Sequence, residues 1–130
     1  MKVVLDTNIL VSALVFPGGR GEAALQRIVE ERDRLIFSQP IIDELLGILS
    51  RKFSRDVEEL AHIAVFITEM GTLVKPRKRL QIVADEPDNR IIECAIAGGA
   101  DVIVTGDKAL LDVGAHEGVK IISLSAYLAN

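Results

Sequence analysis

Four carboxylates hold the chemical interest of this sequence: Asp6, Glu44, Asp88 and Asp107. Asp6 closes the apolar run Val3-Val4-Leu5, and Asp107 follows Val102-Ile103-Val104-Thr105-Gly106. A continuous run of branched aliphatic residues reads as a short strand buried on both faces, as in parallel sheets. In open α/β sheets, ligands bind outside the carboxyl ends of the strands, where the strand order reverses. An Asp at each of two such ends points to one shared site, with Asn8 and Thr105 able to hold the carboxylates by hydrogen bonds. The plainer reading is that Asp, Asn and Thr are common turn and cap residues.

The other two acids lie on expected helices, where each residue turns roughly 100° from the last. After Pro87, Ile91, Ile92, Ala95 and Ile96 form an apolar stripe, and Asp88 falls in its middle. Arg90 and Glu93 fall on the opposite side, expected to face water. A lone carboxylate aimed at a sheet is costly to bury unless something pairs with it. The alternative for Asp88 is a first-turn acid favoured by the helix dipole. In the helix after Pro40, Ile41, Ile42, Leu45, Leu46, Ile48 and Leu49 mark the buried face; Glu44 sits at its boundary and Asp43 lies opposite.

Carboxylates that converge without a cation repel one another and raise each other's pKa values. A hard divalent ion resolves this, and an all-oxygen donor set suits Mg2+ or Mn2+. No His or Cys spacing suggests zinc. His62 and His116 stand far apart and read as surface or interface residues, and Cys94 as a small core residue.

The elements that must position these acids alternate. Strands are expected at residues 3–5, 35–37, 72–74, 102–104 and 119–122. Between and after them, helical segments are expected at about 9–15, 21–32, 40–51, 56–70, 87–98, 108–113 and 123–128. Such alternation is an α/β pattern with a mainly parallel sheet. Residues 80–84 read as an extended lead-in, after the basic stretch Lys75-Pro76-Arg77-Lys78-Arg79. With 130 residues and 49% apolar content, the chain is expected to form a single domain spanning 1–130 around an aliphatic core. One cysteine excludes an internal disulfide and fits the cytoplasm. No run approaches the ~18 apolar residues of a membrane span. A net charge of −4 argues against nucleic-acid binding by bulk charge alone.

Together, Val3-Val4-Leu5-Asp6-Thr7-Asn8, the mid-chain helical Glu44, Asp88-Asn89 before an apolar helix, and Val104-Thr105-Gly106-Asp107-Lys108 resemble the PIN domain. The resemblance runs over essentially the whole chain, in length and motif order, and is nearest to the VapC-like toxins of toxin–antitoxin pairs. It implies a three-layer α/β/α sandwich with a mainly parallel four- or five-stranded sheet. It also implies a metal-dependent endoribonuclease, cytoplasmic and homodimeric, neutralised by a small antitoxin. Carried over, the catalytic and metal-binding set is Asp6, Glu44, Asp88 and Asp107, supported by Asn8 and Thr105. Relatives often carry a further acid just after the position of Asp88, where this chain has Asn89. Asp85 is a candidate substitute, which leaves one or two metals open. The RNA substrate would then be held by bases outside the acidic site: Arg20, Arg51, Lys52, Lys108 and the stretch 75–79.

Rival readings fare worse. A haloacid-dehalogenase-type phosphatase needs a second acid at the position of Asn8, and a receiver domain needs an Asp where Leu35-Ile36-Phe37 ends in Ser38. No Gly-rich phosphate loop is present. The remaining alternative is a PIN-fold scaffold that binds protein or assists RNA processing without a toxin role.

Overall fold

The computed structural model describes residues 1–129. Six strands form one sheet: β1 (Lys2–Leu5), β2 (Arg34–Phe37), β3 (Thr72–Leu73), β4 (Val102–Thr105), β5 (Ala115–His116) and β6 (Val119–Ser123). The order is β3-β2-β1-β4-β6-β5, parallel except for the β5–β6 pair. The helices are α1 (Thr7–Val15), α2 (Arg20–Val29), α3 (Gln39–Phe53), α4 (Val57–Met70), α5 (Glu86–Gly98), α6 (Lys108–Val113) and α7 (Leu124–Leu128). They flank the sheet as the α/β/α arrangement requires, with α1 packing on α2 and α3, and α3 on α4 and α5. The sheet carries one strand more than expected. His116-Glu117-Gly118-Val119 turns with positive φ at both Glu117 and Gly118, the geometry that folds a short antiparallel strand back onto β6.

Why these residues make this sheet follows from burial on both faces. Val3, Val4, Leu5, Leu35, Ile36, Phe37 and all of β4 are buried, so the strands need no polar alternation. Helix α5 lies tightly against β2, and a side chain in place of Gly98 would collide with Ile36.

The topology matters most for function. From β1 the chain builds outward through β2 to β3, then returns to place β4 on the other side of β1. The strand order therefore reverses between β1 and β4, the switch point at whose carboxyl ends open α/β sheets form their ligand crevice.

Candidate active site

Asp6 and Asp107 stand at that crevice. Leu5 of β1 pairs with Val104 of β4, which brings Asp6 beside Thr105. The Asp6 amide donates to the Val104 carbonyl at 2.9 Å. The buried Thr105 hydroxyl donates to Asp6 Oδ2 at 2.6 Å and accepts from the Asp107 amide at 3.0 Å. One side chain thus joins the two strand-end acids. Asn8 contributes only its backbone amide, 3.4 Å from Asp6 Oδ1; its side chain is exposed.

The cap reading and the site reading turn out to be compatible. Asp6 caps α1, Asp107 caps α6 through Leu110 N (3.1 Å), and Asp85 caps α5 through Asp88 N (3.2 Å). Three helix N-termini thereby present acids, with their favourable dipoles, to one region.

Electrostatics shows which acids share that region. Burial pushes the Asp6 carboxyl above its ordinary range; the Thr105 and Asn8 hydrogen bonds oppose this and the Asp107 charge adds to it. Glu44, half-buried on α3, is raised by burial and then by the charges of Asp6 and Asp85, with Arg51 opposing. Asp88 is pushed up to about 7, first by burial and then by Asp107, Asp85, Asp6 and Glu44. It is 8% exposed, and its Oδ2 is buried without a hydrogen bond. Asp43 is exposed and takes a hydrogen bond from Gln39.

A profile of the PIN domain matches residues 2–109. The chain belongs to the PIN domain family. It is 31% identical over 117 residues to the uncharacterized protein MJ1680 of Methanocaldococcus jannaschii, covering 87% of this chain and 75% of the relative. In fold it matches VapBC2 from Rickettsia felis, crystallised with a DNA fragment from the promoter of the pair. That match has a TM-score of 0.67 at 16% identity, and covers 95% of this chain and 98% of that one. VapBC-1 of nontypeable Haemophilus influenzae matches with a TM-score of 0.64 at 19% identity, over 96% and 99% of the two chains.

In this PIN domain the acids offer only oxygen, and Asp88 Oδ2 is a buried acceptor lacking a donor. That chemistry fits a hard divalent cation. Among the described residues, however, no three His, Cys, Asp or Glu side chains are gathered closely enough to hold an ion as they stand.

Two expectations on α5 are corrected by the structure. Arg90 and Glu93, assigned to water by helical spacing, are buried and ion-paired at 2.9 Å. The cause is the segment 80–84, which lies over that face. Leu80 N donates to Glu93 Oε2 at 2.6 Å, and Arg90 donates to the Leu80 carbonyl at 3.0 Å. Asn89, directly after Asp88, is fully buried and serves the same segment. Its side chain accepts from Ile82 N and Val83 N and donates to the Val83 carbonyl. Asn89→Ala should therefore destabilise the domain by about 2–3 kcal/mol and speed proteolytic cleavage within 80–84.

Thr105 makes a second test. Thr105→Val keeps the shape but strips a hydrogen bond from a buried carboxylate. A loss of about 2 kcal/mol is expected, read as a lower urea midpoint with unchanged slope.

Proposed function

We propose that this PIN domain is a metal-dependent endoribonuclease whose catalytic set is Asp6, Glu44, Asp88 and Asp107. The observation that carries the reading is Asp88: a carboxylate buried at the strand-end crevice with one unsatisfied oxygen, its pKa raised by burial and the surrounding acids. Keeping such a group is unfavourable in the absence of a cation and useful in its presence.

Asp6, Asp88 and Asp107 would hold Mg2+ or Mn2+. The ion would supply an activated water and offset charge on the phosphodiester and its leaving oxygen. Thr105 keeps Asp6 in orientation. Glu44, half-buried on α3 with a raised pKa, would be the base that takes up a proton in this reading. Asp85 stays a cap and a source of negative charge.

The likeness in fold to two VapBC structures supports a toxin role with a small antitoxin as partner; the homodimer belongs to the proposal through the PIN-toxin resemblance of the sequence alone. No helix among the described residues is long and apolar enough to cross a membrane. The free, buried Cys94, its thiol pushed up to about 12 chiefly by burial, fits the cytoplasm.

The test is incubation of the purified protein with structured RNAs and Mg2+ or Mn2+. Cleavage that EDTA abolishes is expected. That no three such side chains among the described residues gather closely enough to hold an ion as they stand is the observation that favours a non-catalytic scaffold instead. A scaffold would show no metal-dependent thermal stabilisation, whereas a site at about 100 times its Kd gains about 2.7 kcal/mol, a gain that Asp6→Asn should remove.

A further inference from the structure

Most cations expected to meet RNA are occupied or lie elsewhere. Arg20 donates to Ser125 Oγ at 2.8 Å, Lys108 pairs with Asp112 at 3.0 Å, and Arg51 offsets the charge of Glu44. The stretch Lys75, Arg77, Lys78, Arg79 is different. These four side chains have no ion pair or hydrogen bond among the described residues, and most of the stretch is open to solvent. Four like charges in five residues, with no counter-charge, form a local field that the overall charge of −4 conceals.

The loop carrying them is anchored at both ends. The Val74 amide bonds to the Phe37 carbonyl at 2.8 Å, just before the stretch. Leu80 is bound to Arg90 and Glu93 just after it. The cations share the lining of a groove of about 480 Å3 with the apolar Leu73, Val74, Pro40 and Pro76, and its one acid, Glu93, is already neutralised by Arg90. Cations and apolar side chains lining one groove match a nucleic-acid strand: phosphates to the bases, a nucleobase face to the apolar side chains and to Arg planes.

The position also fits. The loop leaves the carboxyl end of β3, on the same sheet edge as Asp6 and Asp107. Strands lie about 4.8 Å apart, so this end is about 10 Å along the edge from that of β1. That distance suits a strand running from the groove into the acid crevice.

We propose that residues 75–79 and the groove beside them are the surface that binds single-stranded RNA and leads it to the carboxylates. The proposal rests on the nuclease reading for what the strand is delivered to, but RNA binding can be measured apart from cleavage. The probe is a fluorescein-labelled single-stranded RNA oligonucleotide, titrated with the protein in EDTA at several salt concentrations and followed by anisotropy. For single strands each phosphate contact adds about 0.7 to the slope of log affinity against log salt. Arg77→Ala/Lys78→Ala should lower that slope by about 1.4 and weaken binding roughly 20-fold at about 0.1 M salt. Because both side chains are unpaired, the melting temperature should not change. The control Lys2→Ala/Arg32→Ala removes two charges at the opposite sheet edge and should alter affinity less than about 2-fold.

Equal losses from the two pairs, or no loss from the first, overturn the proposal; so does displacement of the RNA by polyglutamate at equal charge. Parallel reactions with Mn2+ keep the two readings apart. Cleavage by wild-type protein with unaltered binding by Arg77→Ala/Lys78→Ala sinks the loop and leaves the nuclease. Loop-dependent binding without cleavage under any metal upholds the RNA surface and sinks the nuclease.

Discussion

Asp107→Asn and Asp6→Asn should each reduce Mn2+-supported RNA cleavage on the order of 10³-fold or more, the loss of several kcal/mol of charge stabilisation. Asn is chosen because it caps a helix as well as Asp does, so α1 and α6 keep their N-terminal hydrogen bonds. The amide retains an acceptor oxygen but not the charge. Circular dichroism should therefore stay near wild type and the melting temperature in EDTA should not fall, while product formation on a gel disappears. Asp43→Asn supplies the contrast. Asp43 lies on α3 next to Glu44 and faces water, so its variant should cleave like wild type. Wild-type activity in both strand-end variants would remove this crevice from the mechanism.

Asp88→Asn should make the metal-free protein more stable, not less, by a margin that grows as pH rises above about 4 and is complete above about 7. The folded state holds the Asp88 proton up to about 7, whereas the unfolded chain releases it near the ordinary 3.8. Below 3.8 both states are protonated and the residue is neutral to stability. As pH rises toward 7 the unfolded state ionises first, and the folded state falls relative to it. Above 7 the full penalty is present, and the amide removes it. In EDTA at about pH 8 the variant should melt roughly 4–8 °C above wild type, and at about pH 4 the two should coincide. Added Mn2+ should reverse the order at the higher pH, since the ion stabilises only the carboxylate form. Scanning calorimetry across that range tests it, and a lower melting point for Asp88→Asn at pH 8 would show that its charge is paired within the fold.

The α5 helix shows where reading by period succeeds and where it stops. Spacing alone put Asp88 on the stripe with Ile91 and Ile92, and all three are buried. The same spacing put Arg90 and Glu93 in water, and they are buried too. A helical wheel records which side faces the sheet; it has no information about a non-periodic segment such as 80–84 lying across the back. The same limit applies to α4, an apolar helix in which Ile67 alone is buried among the described side chains.

What the amino-acid order determined was set by short-range physics. Runs of Val, Ile and Leu specified doubly buried strands, and Asp after each run specified acids at their ends. Helical period specified the inward turn of Asp88 and the outward turn of Asp43. Tertiary structure decided which strand ends are neighbours, because the reversal of order between β1 and β4 arises only when β4 inserts beside β1. It also decided that Thr105 ties Asp6 to Asp107, that Asn89 serves a loop, and that four acids feel one another's charge. Those relations join residues up to 101 positions apart (Asp6 to Asp107), and burial and electrostatics at such separations depend on the packed whole.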